Sequence, residues 1–177
     1  MIVIVEGADL VGKTTLIDGL KRTFPWPVVR LRWDLSGDPE AETRAMARAT
    51  TAIFDAVRPD VILDRSYFSW WAYSVPLGHD DSYMPELVAR YKPAELTRLI
   101  VLTASPAELE RRFAEKPDLY FTLGVIQAAN ARFPSLLRLL PEGLKYVHID
   151  TSEYNARDVL RRAVGFLSEP SPPPAAA

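Results

Sequence analysis

The 177-residue chain contains no cysteine, which excludes disulfide bonds and thiolate-bound metal centres. Its two histidines, His79 and His148, are isolated in the sequence, so neither is expected to be a metal ligand. No apolar run approaches the ~20 residues of a membrane-spanning helix. The first apolar run, Ile2–Val5, is too short for a secretory signal and lacks a basic start. We therefore expect no membrane partner and a cytoplasmic location.

The chain also lacks an excess of charge of either sign, because it has 21 Lys and Arg residues and 23 Asp and Glu residues, for a net charge of -2. No global basic field favours nucleic acid as a partner, so a small molecule is the preferred ligand class. The chain is long enough for one domain with a real core. We expect residues 1–168 to form this single domain and the Pro/Ala-rich residues 169–177 to form a disordered tail.

Five short runs rich in Val, Ile or Leu recur along the chain, which is typical of strands buried on both faces of a parallel sheet. These runs are Ile2–Val5, Val28–Leu31, Val61–Leu63, Leu99–Leu102 and Tyr146–Ile149. Segments with helical spacing separate them, and one such apolar face contains Met46, Ala49, Ile53 and Ala56. The alternation predicts an α/β fold with a five-stranded parallel sheet and helices on both faces.

The loop after the first run matches the pattern G-x-x-x-x-G-K-[ST], with a strand before it and a helix after it. Glycines let successive backbone N–H groups point inward toward phosphate, and the start of the helix adds its positive dipole end. The pattern predicts a P-loop that binds ATP, with Lys13 on the β- and γ-phosphates and Thr14 on Mg²⁺. The predicted nucleotide-binding residues are Gly7, Ala8, Asp9, Val11, Gly12, Lys13, Thr14 and Thr15.

The third run ends in Asp64 and Arg65. P-loop proteins place a carboxylate near Mg²⁺ at this position, so Asp64 joins Thr14 as a predicted metal ligand. The carboxyl ends of central strands bind ligands in open α/β sheets, and an arginine there can hold a phosphate with two hydrogen bonds. The alternative is a surface ion pair between the two side chains that caps the following helix.

The residues from this strand end onward resemble the thymidylate kinase family. The pattern Asp-Arg-x-x-x-Ser-x-x-Ala-Tyr is formed by Asp64, Arg65, Ser69, Ala72 and Tyr73. The stretch Glu6-Gly7-x-Asp9-x-x-Gly12-Lys13-Thr14-Thr15 is similar to the P-loop of that family, and the resemblance spans most of residues 1–168. It also extends to the related deoxynucleoside kinases. The resemblance implies a P-loop kinase domain that transfers phosphoryl from ATP to a deoxynucleoside monophosphate, with thymidylate as the first candidate.

The same resemblance implies roles for individual acceptor-site residues. Arg65 would hold the acceptor phosphate, and Asp9 would contact the acceptor sugar and act in catalysis. Arg44 falls where the family has a base-contacting arginine. Ser69, Tyr73 and Ser74 would line the base pocket. Of the three aromatic side chains Trp70, Trp71 and Tyr73, we expect two in the core and one available to stack on a base.

The segment 111–121 is predicted to form a short lid. Phosphoryl transfer spreads negative charge over three oxygens, so cations must approach from several sides. Leu10 occupies the loop position at which the family can carry an arginine, so the cation must come from elsewhere. Arg112 and Lys116, with Arg111 as a third candidate, are the expected lid cations, and Pro117 is the expected hinge. The alternative is a solvated helix end whose cations complement the helix dipole.

Two other readings of the function stay open. Asp34, which follows the second strand as a carboxylate does in nucleoside kinases, could activate a hydroxyl of a nucleoside or a polynucleotide. The second alternative is a nucleotide-binding module that transfers nothing. The sequence leaves the oligomeric state open, with a homodimer among the options.

Overall fold

The computed structural model describes residues 1–32, 38–56, 60–90, 97–140 and 143–169, so the expected tail beyond residue 169 lies outside the described residues. Its strands form one parallel sheet in the order β2-β3-β1-β4-β5. The strands are β1 (Ile2–Glu6), β2 (Val28–Arg30), β3 (Val61–Asp64), β4 (Thr97–Thr103) and β5 (Lys145–Asp150). The predicted five-stranded parallel sheet is confirmed, and each apolar run of the sequence marks one strand to within a few residues.

Helices connect the strands on both faces of the sheet. They are α1 (Lys13–Thr23), α2 (Pro39–Ala56), α3 (Tyr67–Ser74), α4 (Met84–Arg90), α5 (Pro106–Glu115), α6 (Leu123–Leu136) and α7 (Ala156–Leu167). A short 3-10 turn, Val75–Leu77, follows α3. α1 packs against α7, whereas α3 packs against α2 and α6. Within the described ranges no helix is long and apolar enough to cross a membrane.

The centre of the sheet explains where a ligand can bind. β1, β3 and β4 are buried along their whole length, whereas β5 lies at an edge and alternates in exposure. After β1 the chain passes to β2 at one edge of the sheet. After β3, which is the neighbour of β1, it passes in the opposite direction to β4. Such a reversal opens a crevice beyond the carboxyl ends of the two strands. Both the P-loop and the Asp64-Arg65 pair begin at this crevice.

The buried face of α2 differs from the one that its apolar residues predict. Ala49 and Ala56 are exposed, and the face turned to the core includes Thr43 and Thr50 beside Met46. Each buried hydroxyl has a partner: Thr43 Oγ1 lies 3.0 Å from the Tyr83 hydroxyl, and Thr50 Oγ1 donates to the Met46 carbonyl at 2.8 Å. The expectation was wrong at the alanines because these internal hydrogen bonds allow threonine to replace apolar side chains.

Candidate active site

Two glycines of the P-loop are required for different reasons. Gly7 has a φ of 145°, and a Cβ there would lie 2.7 Å from Val11 Cγ2 and closer still to the Leu102 carbonyl oxygen. Gly12 has a φ of 94° with open space around it, so only its left-handed backbone demands glycine. Gly12 is also the N-cap of α1, and no side chain caps the helix there. The first N–H groups of α1 are therefore available to an anion.

Lys13 is buried beneath the loop that it belongs to. Its Nζ donates to the Gly7 carbonyl at 2.7 Å and to the Ala8 carbonyl. Burial lowers the pKa of Lys13 to about 7, with Arg65 adding to the effect. Among the described residues, the hydrogen bonds of this buried ammonium go to neutral carbonyls, so it gains strongly from an incoming phosphate.

The loop and the strand ends enclose one cavity of about 670 Å³. Its walls come from four parts of the chain: the P-loop with the first turn of α1, the ends of β2 and β3, the end of α5 with the residues after it, and the segment that follows β5. They include Asp9–Leu16, Arg30, Asp64, Arg65, Arg112, Lys116–Tyr120, Thr151, Tyr154, Ala156 and Val159. The cavity is within the size range of small-molecule sites, about 300–1,000 Å³.

Arg65 lies at the floor of this cavity in a strained conformation. Its φ is 76°, a left-handed value that costs about 1–2 kcal/mol for a residue with a Cβ. Its guanidinium is ion-paired with Asp9, and the Tyr73 hydroxyl donates to the same carboxylate at 2.7 Å. Although burial favours the neutral acid, the cations of Arg65 and Lys13 hold the pKa of Asp9 below its usual value. Strain of this kind persists at functional sites where surrounding contacts enforce it.

Asp64 has a partner that sequence reasoning missed. Arg30, the last residue of β2, donates from Nε to Asp64 Oδ2 at 2.6 Å. The Asp64 side chain is buried, whereas that of Arg30 is about half exposed and also lines the cavity. A signal was present in the sequence, because an arginine at the carboxyl end of a parallel strand lies at the same sheet edge as the Asp64-Arg65 pair.

The predicted lid cations fall into three different situations. The Arg112 guanidinium donates to the Leu10 carbonyl at 2.8 Å and to the Thr151 hydroxyl and carbonyl at 3.0 and 3.1 Å. It thereby joins the P-loop to the segment after β5. Arg111 is ion-paired with Glu108 and Glu115 and is absent from the cavity wall.

Lys116 lines the cavity but lies just past the end of α5, so it does not share a helix face with Arg112. The helix stops before Pro117 because the residue before a proline disfavours helical backbone. Ser105 caps α5 by accepting from the Glu108 N–H at 3.2 Å, which is one of the two bonds of a capping box. The capping box is only half formed, since the Ser105 N–H donates to Ser152 and the Glu108 carboxylate binds the two arginines.

The residues assigned to a base pocket do not come together at the cavity. Ser69 and Ser74 are fully buried, and the Ser74 hydroxyl donates to the Trp71 carbonyl in its own helix. Tyr73 is buried and reaches the site only through its hydroxyl. Arg44 is absent from the cavity wall. It instead forms ion pairs with Glu40 of α2 and Glu86 of α4. Asp34 lies outside the described residues.

All three aromatic side chains of α3 that were candidates for stacking are in the interior. Trp70 is 1% exposed, Trp71 is 6% exposed and Tyr73 is not exposed. The Arg132 guanidinium covers the Trp71 ring, with its Cζ 4.6 Å from the ring centroid. In this arrangement no ring of α3 offers a free face to a base, so the expectation of one stacking ring does not match the structure. The physical reason is that α3 lies between α2 and α6, which cover both of its sides.

The oxygen atoms of Thr14 and Asp64 suit Mg²⁺, a hard cation that prefers oxygen ligands. Both residues line the cavity, and Thr14 is exposed in the first turn of α1. Among the described residues no group of three or more His, Cys, Asp or Glu side chains could hold a metal by itself. This arrangement fits Mg²⁺ that arrives with nucleotide phosphates, which normally supply part of its coordination.

Solved structures match this chain over almost its whole length. A deoxyadenosine kinase from M. mycoides with bound dATP matches with a TM-score of 0.69 at 11% identity, covering 96% of this chain and 100% of that chain. The YorR protein from Bacillus subtilis, in complex with phosphorylated GDP, matches with a TM-score of 0.70 at 18% identity, covering 94% and 95%. An unliganded sugar kinase from Janibacter matches with a TM-score of 0.59 at 14% identity, covering 94% and 93%.

No protein-family profile and no curated protein sequence matches the chain. At these identities the structural likeness shows the fold. The protein has an α/β P-loop NTPase fold, as its sequence predicted.

Proposed function

We propose that this protein is an ATP-dependent kinase that transfers the γ-phosphoryl group to a deoxynucleoside monophosphate, with thymidylate as the first candidate. The observation that carries the proposal is that Lys13 and Arg65 line the same cavity from neighbouring strand ends. One cation is suited to the donor phosphates and the other to the acceptor. The shared fold with a deoxyadenosine kinase that binds dATP, and with the YorR protein in complex with phosphorylated GDP, supports the reaction class by analogy.

In this reaction the bond between the γ-phosphorus and the β–γ bridging oxygen breaks, and a bond to an acceptor phosphate oxygen forms. That acceptor oxygen is already ionised near neutral pH, so the transfer needs no general base. Lys13 and the loop N–H groups would hold the donor phosphates. Thr14 and Asp64 would hold Mg²⁺, which neutralises phosphate charge when bound. Asp64 would then have to exchange its Arg30 partner.

The charges around the acceptor end favour an anionic acceptor. Arg30 and Arg65 both face the cavity there. The nearby carboxylates of Asp64 and Asp9 are each already bound by one of these guanidinium groups. A hydroxyl acceptor needs a carboxylate that is available to take its proton, whereas a phosphate needs the guanidinium groups. On the residues described, the monophosphate is the better match.

The lid remains part of the proposal. Lys116 lines the cavity and forms no ion pair with the described residues. It is therefore the cation best placed to close on the donor phosphates. Arg112 would act from a fixed position, because its guanidinium is already bound to Leu10 and Thr151. Residues 116–121, which have no regular secondary structure, would carry the movement.

The second candidate is a kinase that phosphorylates a hydroxyl of a nucleoside or a polynucleotide. The match to a deoxyadenosine kinase over 96% of this chain favours keeping it. The base in that case would be Asp34 or Asp64. A nucleotide-binding module without transfer is the third reading.

An acceptor screen separates these readings. The protein is incubated with MgCl₂, [γ-³²P]ATP and, in parallel, thymidylate, the other deoxynucleoside monophosphates, thymidine and a 5′-hydroxyl oligonucleotide. We expect labelled product from a monophosphate and none from the last two. Product only from thymidine or the oligonucleotide would establish the second candidate. Nucleotide binding without any labelled product, or ADP release by hydrolysis that no acceptor changes, would favour the third.

Arg30→Ala sharpens the same test. If Arg30 contacts the acceptor phosphate, the KM for the monophosphate should rise about tenfold, because a charge-assisted hydrogen bond to the acceptor is lost, and the KM for ATP should change by less than about threefold, because Arg30 acts on the donor side only through Asp64. The matched control is Arg22→Ala, an exposed arginine in the last turn of α1. An unchanged KM for the monophosphate would remove Arg30 from the acceptor site.

A further inference from the structure

Glu6, the last residue of β1, is a fully buried carboxyl that neither the P-loop pattern nor the proposed reaction uses. Its Oε1 accepts from the Ser66 N–H and from the Ser66 hydroxyl, each at 2.6 Å. Its Oε2 accepts from the Ser69 hydroxyl. Burial raises the pKa of Glu6, although these donors and the nearby cations oppose the shift. A buried carboxyl is costly, so one with both oxygens bound invites a functional explanation.

Both donors to Glu6 follow Arg65 in the chain, since Ser66 is the next residue and Ser69 lies in the first turn of α3. Arg65, in its left-handed conformation, donates its own N–H to the Val5 carbonyl at 3.1 Å. The next N–H, that of Ser66, donates to Glu6. The last two residues of β1 therefore bind two successive N–H groups of the turn. Gly7 follows Glu6 directly, so the same stretch of backbone also starts the P-loop.

The side chain of Arg65 is linked to Glu6 through Ser69. Arg65 Nη1 donates to Ser69 Oγ at 3.4 Å, and Ser69 donates its single hydroxyl proton to Glu6. The carboxylate thus fixes the direction of the hydroxyl, which turns the lone pairs of Ser69 toward the guanidinium. Asp9 binds the guanidinium from the P-loop side.

We infer that Glu6 is a positioning residue that sets the place of the Arg65 guanidinium relative to the P-loop, through the Ser66 N–H and the Ser69 hydroxyl. The inference rests on the proposed function, in which Arg65 holds the acceptor. Glu6 touches neither substrate, because it is buried behind the cavity wall. Its effect should therefore fall on acceptor binding and leave nucleotide binding in place.

Glu6→Gln and Ser69→Ala test the inference from two sides. The amide introduced by Glu6→Gln would present NH₂ to a hydroxyl, so one serine must reverse its hydrogen bond and the link to Arg65 is disturbed at nearly constant volume. Ser69→Ala removes the link and leaves the contact between Glu6 and Ser66. The matched control is Thr50→Val, which deletes another buried hydroxyl that, within the described part of the chain, bonds only to a helix carbonyl.

We expect each test variant to raise the KM for the monophosphate acceptor at least about tenfold, with the Kd of MgATP within about threefold of wild type when it is measured below pH 7, where the loss of the Glu6 charge near Lys13 matters least. The double variant should be little worse than the more severe single variant, because both changes break one link. Equal weakening of MgATP binding, or an acceptor KM within about twofold of wild type for both variants, would overturn the inference. If Glu6→Gln does not fold, Ser69→Ala decides the matter alone.

A second measurement separates this inference from the proposed function. Amide hydrogen exchange of residues 65–69 should be at least about tenfold faster in Glu6→Gln or Ser69→Ala, while exchange in β4 stays unchanged. Thr50→Val should leave both regions unchanged. If the wild-type protein phosphorylates no acceptor, the proposed function fails. The positioning role of Glu6 is then tested by amide hydrogen exchange alone. Unchanged exchange at residues 65–69 would refute it.

Discussion

The donor half and the acceptor half of the cavity are built in different ways. The donor half is one continuous stretch, residues 7–15, held between the end of β1 and the start of α1. The acceptor half combines the ends of β2 and β3, which are far apart in the sequence. Local sequence determines the first, whereas strand order brings the parts of the second together. Changes in the donor half should therefore affect all turnover, and changes in the acceptor half should affect one substrate.

The two halves also differ in how their cations are satisfied. Among the described residues, the hydrogen bonds of Lys13 in the donor half go to the neutral carbonyls of Gly7 and Ala8, and carboxylates such as that of Asp9 act on its charge without a hydrogen bond. The guanidinium groups of the acceptor half, Arg65 and Arg30, are each paired with a carboxylate. An incoming nucleotide replaces neutral partners of Lys13, whereas an incoming acceptor must compete with ion pairs. The donor cation should consequently contribute more per residue to turnover.

The largest effect is expected for Lys13→Ala. Removal of a buried cation from the donor phosphates should lower kcat by about 10²–10³-fold, the range found when one preorganised donor to developing charge is lost. Steady-state rates with saturating acceptor measure this. The matched control is Lys21→Ala, an exposed lysine in the last turn of the same helix, which should leave turnover unchanged. Unchanged turnover in Lys13→Ala would contradict the donor assignment and with it the proposed reaction.

A smaller but still large effect is expected for Arg112→Ala, because Arg112 touches both the P-loop and the segment after β5. Its loss removes a cation from the cavity and three hydrogen bonds from the wall, so kcat should fall by more than about tenfold. Arg111→Ala is the control, because Arg111 is the next residue in the chain and its exposed guanidinium is bound to carboxylates of its own helix.

Arg112→Lys separates charge from geometry. A lysine keeps the charge but has one nitrogen in place of three, so it cannot reproduce the planar contact of Nε, Nη1 and Nη2 with Glu108, Leu10 and Thr151. If the lysine variant recovers most of the activity, the charge at the donor phosphates matters. If it resembles Arg112→Ala and also has a lower Tm, the fixed geometry of the wall matters. A fall in kcat of less than about tenfold in Arg112→Ala would remove Arg112 from the transition state.

The donor half was predictable because its signals are contiguous. Gly7, Gly12 and Lys13 stand at fixed spacing between a strand and a helix, and their backbone angles follow from that spacing. The parallel sheet was predictable for a similar reason, since strands buried on both faces are apolar throughout. Neither feature depends on contacts between distant parts of the chain.

The other contacts could not be predicted, because they depend on which strand ends become neighbours. The Arg30–Asp64 pair joins positions 34 residues apart, and Arg112 meets Leu10 across 102 residues. In the sequence, Glu6 is the residue before the first glycine of the P-loop pattern, and only the structure shows what its carboxylate binds. The position of Arg44 in the sequence suggests a contact with the base, yet its side chain is ion-paired with acidic residues of α2 and α4.

The smallest expected effect concerns pH and again separates the two halves. Because burial lowers the pKa of Lys13 to about 7, the free protein holds this side chain largely neutral at pH 8. A bound triphosphate favours the charged form, so its binding must take up a proton that approaches one per nucleotide as pH rises above 7. The affinity for MgATP should accordingly fall roughly fivefold between pH 7 and pH 8.

Titration calorimetry in buffers of different ionisation enthalpy measures this uptake. Lys13→Arg is the control, because a guanidinium stays charged and should bind nucleotide without taking up a proton. Binding enthalpies of the wild-type protein that do not depend on the buffer at pH 8 would contradict the prediction. Acceptor binding should show no comparable uptake, since it depends on guanidinium groups, which do not exchange their charge near neutral pH. A proton taken up on acceptor binding alone would reverse the contrast between the two halves of the cavity.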